Sequence, residues 1–208
     1  MGAEEFLPDQ PTLESLRAAA AACKGCDLWA SATQTVFGEG SSKAVVMMIG
    51  EQPGDREDVE GKPFVGPAGR VLDEALEAAG ISRQAVYLTN AVKHFRWVRR
   101  GKRRLHEKPN SRQVRACRPW LEAEARAVRP RLLVLLGATA AQSLLGPTFR
   151  VTQHRGKVIP TPPGIPAVAT VHPSSILRAP DDEARAEALS AFITDLRAVT
   201  RHLASPAT

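Results

Sequence analysis

The stretch Ala44-Val45-Val46-Met47-Met48-Ile49-Gly50-Glu51-Gln52-Pro53-Gly54 decides how the rest of the chain is read. Its six leading apolar residues show no polar alternation, the pattern of a strand buried on both faces, and Gly50 ends it. Two glycines around a proline then give a tight turn that brings backbone N–H groups close to a ligand. Glu51 stands directly at the strand end, where burying a carboxylate is costly without a purpose. It is therefore a candidate catalytic group.

The same alternation continues outward. Val86–Thr89, Leu132–Leu136 (LLVLL) and Ile165–Val171 read as further strands. Between and beyond them the spacing predicts helices over Leu13–Ala22, Pro67–Ala79, Ser111–Val128, Ala138–Leu145 and Asp181–Leu203. Gly80 stops the second of these, and Asn110 or Ser111 caps the third. Strand–helix alternation with near-continuous apolar strands implies an α/β fold, a mostly parallel four-stranded sheet covered on both faces. In such sheets ligands collect beyond the carboxyl ends of the strands. The residues that follow the four strands are Gly50–Gly54, Asn90, Gly137 and His172-Pro173-Ser174, which places them on one edge.

The chain has 208 residues and a formal charge of +6. The segment RWVRRGKRRLHEK, residues 96–108, holds seven Lys/Arg and one Glu, so the rest of the chain is balanced. That run leaves from the same sheet edge, where a phosphate-contacting loop belongs. Lys102, Arg103 and Arg104 are its candidate phosphate contacts. No apolar run is long enough to span a membrane. The start, MGAEEFLPDQ, lacks a secretory pattern and has Phe6 where a myristoylation signal needs Ser or Thr. The expectation is one domain over residues 1–208, cytoplasmic, and nucleoid-associated if its target is DNA.

Cys23, Cys26 and Cys117 are an odd set, which argues against a disulfide framework. The Cys-x-x-Cys closes an Ala-rich helical segment instead of following a strand, which favours metal ligation over redox work. At the sheet edge, Asn90 can offer a donor and an acceptor to one edge of a base. His172 becomes a candidate reader of a small polar heterocycle beside Glu51 and Asn90, and Phe64 could stack on its face.

The motifs GEQPG, GKPFVGPAGR, TNAVK, LLGATAA and VHPSS, in this order from about Cys23 to about Arg178, resemble the family 4 branch of the uracil-DNA glycosylase superfamily. That resemblance implies a three-layer α/β/α sandwich and hydrolysis of uracil from DNA. Glu51 then stands at the position of the catalytic carboxylate. The resemblance further implies that Gly50, Gln52, Asp55, Phe64, Asn90 and His172 bind uracil and that Lys102, Arg103, Arg104 and Ser174 contact DNA. The resemblance also implies a [4Fe–4S] cluster on Cys23, Cys26 and Cys117, but with His94 where family 4 places a cysteine. Imidazole can replace thiolate on iron, and the same Cys₃His set would suit structural zinc.

A second departure is Gly101-Lys102-Arg103-Arg104-Leu105-His106, inserted where family 4 sequences run almost directly to a proline-containing stretch. It resembles the KRRIH-type loop of the UdgX group, which binds uracil-DNA irreversibly and also has His at the position of His94. The group implies that His106 attacks C1′ of the sugar, a single-turnover enzyme, a single-strand preference and a monomer. The alternatives are an ordinary multiple-turnover family 4 enzyme and a non-catalytic iron–sulfur DNA-binding module.

Overall fold

The computed structural model describes residues 2–162 and 164–205. Among these residues seven strands are formed: β1 Val46–Gly50, β2 Val86–Asn90, β3 Trp97–Arg100, β4 Arg103–His106, β5 Leu132–Leu136, β6 Val158–Ile159 and β7 Ala167–Thr170. The helices are α1 Leu13–Ala20, α2 Asp55–Glu60, α3 Pro67–Ala78, α4 Ser111–Val128, α5 Ala138–Leu145, α6 Val151–His154, α7 Pro173–Ile176 and α8 Asp182–Ala204.

The main sheet runs β2-β1-β5-β7-β6, with the first four strands parallel and β6 antiparallel at the edge. The expected four strands are present, and the sheet has five. The extra strand is only two residues long and pairs on one side alone, too short to give a periodic signal.

The alternation along β1 explains its unbroken apolar run. Val46 and Met48 pack with Leu72 and Leu76 of α3 and Phe192 and Leu196 of α8. Met47 and Ile49 face the other way, toward Leu121 of α4 and Ala140 and Leu144 of α5. A strand with helices on both faces has no side free for polar residues. A third cluster joins α1 to α4 through Leu16, Ala20, Phe37 and Trp120. It also contains Cys23 and Cys117.

The long helices start where side chains satisfy the first free amides. Asn110 accepts from Gln113 N while Gln113 accepts from Asn110 N, both at 2.9 Å. Asp181 accepts from Ala184 N at 2.8 Å to begin α8.

The basic run is not an irregular loop. It forms the antiparallel hairpin β3–β4, with Trp97 opposite His106 and Arg99 opposite Arg104. Gly101 has φ +60° at the first turn position, where II′ turns place glycine. Among the described residues, no helix is long and apolar enough to cross a membrane.

Candidate active site

Parallel pairing puts Gly50 next to Asn90 and Leu136 next to Thr170, so the strand ends open onto a common cleft of about 900 Å³. Glu51, Phe64, Asn90, His106 and His172 all line it. Only glycine fits at position 50, because a Cβ there would collide with Asn90 Oδ1 and the Phe64 ring. That absence lets Asn90 and Phe64 converge over the strand end. Phe64 is held at φ +58°, an unfavourable conformation for a bulky residue, and stacks against His172 at 6.1 Å between ring centroids.

His172 has a defined tautomer. Its Nδ1 accepts from Ser174 N at 3.2 Å and lies 2.9 Å from Ser174 Oγ, which in turn accepts from Arg178 Nη1 at 3.0 Å. With Nδ1 an acceptor, the proton of the neutral ring sits on Nε2. Burial pushes the ring's pKa down to about 4, although Glu51 pulls the other way. His172 is thus a neutral donor. Ser174, expected to meet DNA, spends its hydroxyl on His172 and Arg178.

Glu51 receives a hydrogen bond from Thr139 Oγ1 and lies 3.2 Å from His106 Nε2. Burial raises its carboxyl, but the hydrogen bonds from His106 and Thr139, with the charges of His106 and His172, outweigh this and leave the pKa below its ordinary value. The carboxylate is ionised at neutral pH, and it faces the imidazole of His106.

His106 is held there by the hairpin, and three residues expected to touch the ligand or DNA build that support. Gln52 Nε2 donates to the carbonyls of Arg96 and Glu107, and its Oε1 accepts from Arg96 N, which ties both hairpin ends beside Glu51. The Gln52 side chain is therefore fully engaged, and only its backbone is left to read a base.

Arg104 points inward. It bonds Asp55 and the fully buried Asp58 at 2.6 Å each and lies between the rings of Phe95 and Trp97. Asp55 correspondingly answers Arg104 across the cleft rim. Lys102 and Arg103, at the hairpin tip, remain exposed. The three adjacent cations share one local pattern, and tertiary partners separate them.

Behind Asn90 lies a buried ion pair that the motifs do not announce. Lys93 Nζ donates to Glu124 Oε2, Thr89 Oγ1 and the Asn90 carbonyl. Glu124 also accepts from Tyr87 Oη, Thr89 Oγ1 and Gly38 N. A carboxylate on the apolar face of α4, four residues after Trp120, was the available signal. Removing one partner of a fully buried pair is expected to cost about 3–5 kcal/mol. Lys93→Met should show that loss in urea unfolding, and Lys93→Met with Glu124→Gln should recover part of it, because the amide is uncharged and its oxygen can still accept from Tyr87, Thr89 or Gly38. Full stability in the single variant would refute a structural role for the pair.

The three thiols share the third core cluster. Trp120 Nε1 and Lys93 N donate to the sulfurs of Cys23 and Cys117, each at 3.2 Å. Burial pushes the Cys117 thiol up to about 12. Three sulfurs, two of them with N–H donors, fit the chemistry of an iron–sulfur or zinc centre. His94 is buried, and its Nε2 lies 2.9 Å from Thr35 Oγ1. Among the described residues, no group of three or more His, Cys, Asp or Glu stands at metal-holding distance.

A family model described as the uracil DNA glycosylase superfamily matches residues 37–197. The type-4 uracil-DNA glycosylase of Thermotoga maritima is 37% identical over 164 residues, which cover 78% of this chain and 82% of that protein. The type-4 enzymes of Sulfurisphaera tokodaii and Saccharolobus solfataricus are 36% and 39% identical over 156 and 142 residues, or 70% and 65% of this chain. The matched parts span 66% and 60% of those two relatives, under two thirds of each. By the span of the family match and the identity to the Thermotoga protein, this chain belongs to the uracil DNA glycosylase superfamily.

Proposed function

We propose that this protein excises uracil from DNA, with a preference for single strands, and ends the reaction joined through His106 to C1′ of the sugar. The observation that carries the reading is the 3.2 Å approach of His106 to Glu51 inside a cleft that also holds Asn90, Phe64 and His172.

The extruded base enters beside Phe64, which stacks on it, while Asn90 pairs with its polar edge. As the C1′–N1 bond breaks, positive charge builds on the sugar and negative charge on uracil. Ionised Glu51 stabilises the first, and the Nε2–H of His172 donates to O2 and stabilises the second. His106 then supplies a ring lone pair to C1′, and its N–H proton passes to Glu51. Uracil departs with the electron pair of the broken bond, and the new C1′–N bond has no good leaving group. Lys102 and Arg103, exposed at the hairpin tip, neutralise phosphates in this reading.

Cys23, Cys26 and Cys117 are read as ligands of a [4Fe–4S] cluster, with structural zinc as the alternative and His94 as the candidate fourth ligand. When bound, the centre supplies a covalent cross-link between the N-terminal segment and α4. The purified protein is expected to be brown and to lose its colour in the Cys117→Ser variant. A colourless zinc-containing protein would exclude iron–sulfur.

Mixed with an equimolar uracil-containing single strand, the protein is expected to release free uracil and to give a complex that survives heat and SDS. Release of uracil in large excess over protein would establish an ordinary multiple-turnover glycosylase. No release at equimolar protein would leave only a binding module.

Because the His172 pKa lies near 4, the neutral donor persists through the ordinary range. Protonation of His172 sets in only as pH falls toward that value. Single-turnover uracil release should therefore show no limb of His172 near its free value of about 6.5. The C2–H resonance of His172, assigned by its loss in His172→Gln, should titrate near 4. Titration at about 6.5 would contradict the buried neutral donor.

A further inference from the structure

A second cleft of about 590 Å³ lies between the first half of α4 and α5. Thr139, the residue that hydrogen-bonds Glu51, lines it, so the cleft begins directly behind the catalytic carboxylate. Its other end of approach is Lys108, two residues after His106. The two clefts are thus neighbours along one path.

The walls carry one sign of charge. Lys108, Arg115 and Arg118 line the cleft and are exposed. Arg118 pairs with Glu122 at 2.7 Å, whereas Lys108 and Arg115 have no carboxylate at ion-pair distance among the described residues. Between these cations the floor is apolar, from Val114, Leu144 and Leu145. Cations along the rim and an apolar floor match a polyanion whose flat groups seek cover from water. Single-stranded nucleic acid has that chemistry. The net charge of the hairpin, the next element along the path, has the same sign.

We propose that this groove takes the DNA strand on one side of the extruded deoxyuridine, with phosphates at Lys108 and Arg115 and a base against Val114 and Leu145. The inference rests on the glycosylase reading of the neighbouring cleft, and it adds a subsite. Substrates with nucleotides on that side gain affinity, and substrates truncated there do not. The groove therefore sets which end of a strand may carry the uracil.

The test uses the full chain and single strands carrying 2′-fluoro-2′-deoxyuridine, whose fluorine suppresses cleavage. Three probes are compared by fluorescence anisotropy over a salt series: nucleotides on both sides, on the 5′ side only, and on the 3′ side only. For Lys108→Glu with Arg115→Glu, the two-sided strand and one of the one-sided strands should bind about tenfold or more weakly. The slope of log affinity against log salt should fall by about 0.7 for each phosphate that is no longer neutralised. The other one-sided strand should bind as it does to the unaltered protein. Equal weakening of both one-sided strands would mean a general field and overturn the subsite, as would no weakening of any. Uracil release from an ordinary deoxyuridine strand is measured in parallel. Its absence in the unaltered protein would bring down the glycosylase reading itself, and the subsite with it.

Discussion

His106→Ser is expected to abolish the heat- and SDS-resistant complex, while uracil release persists and rises from one per protein molecule to many. The side chain of His106 is 51% exposed, so the substitution should cost the fold no more than about 0.5 kcal/mol. What changes is the nucleophile. Serine is too short to reach the position of the imidazole ring, and its hydroxyl has no adjacent base able to activate it except Glu51. Water can occupy the vacated space beside the carboxylate and attack C1′ instead, giving an abasic site that dissociates. Glu51, Asn90 and His172 are untouched, so departure of the base should proceed at a comparable rate. Two measurements on one sample decide the matter: the gel-shifted complex under denaturing conditions, and free uracil counted against protein. Persistence of the complex in the serine variant would mean that another group forms the bond. Loss of both readouts would mean that His106 serves the glycosidic cleavage itself.

That distinction depends on support which the sequence discloses only in part. The central strands were legible because β1 and β5 are apolar on both faces and have helices to bury against on each. Helix starts were legible where the cap is local, as at Asn110 and Asp181. The convergence of Glu51, Asn90 and His172 followed from parallel strands ending on one edge.

The hairpin was not legible. Residues 97–106 contain little apolar alternation, and what holds them is Arg104 reaching Asp55 and Asp58, nearly fifty positions earlier. Gln52 adds a second tie to the same hairpin. No local pattern distinguishes an arginine that clamps two carboxylates from its neighbour that faces solvent. His94 illustrates the same limit, because no local pattern announces the contact of its ring with Thr35, 59 positions earlier. The α4–α5 groove adds another: its cations are spread over residues 108–118 and acquire meaning only when α5 closes the other wall.

Glu51→Gln should lower uracil release by about 10²–10³-fold, or about 3–4 kcal/mol of transition-state stabilisation. The change keeps the shape of the side chain and an oxygen able to accept from Thr139, but removes the charge. In the unaltered protein burial raises the carboxyl, but the hydrogen bonds from His106 and Thr139 outweigh it and hold the pKa below its ordinary value, so ionised carboxylate is the resting state. A neutral amide leaves the developing positive charge on the sugar without its counter-charge. It also leaves His106 without an acceptor for its proton. Formation of the covalent complex should therefore fall at least as far as uracil release, since attack requires both a cation at C1′ and removal of the imidazole proton. Folding supplies the control. The hydrogen bonds to Glu51 outweigh its desolvation, so the amide should melt slightly below the unaltered protein, and a melting curve showing it still folded at the assay temperature would mean that a large loss of activity does not reflect unfolding. Comparison with His106→Ser separates the two roles of the carboxylate. In the serine background, Glu51→Gln reports charge stabilisation plus activation of water, and in the native background it reports charge stabilisation plus proton removal from His106. If release in Glu51→Gln stays within about threefold of the unaltered protein, roughly 0.6 kcal/mol, the carboxylate carries no developing charge. The 3.2 Å approach of His106 would then have to be explained by hairpin packing alone.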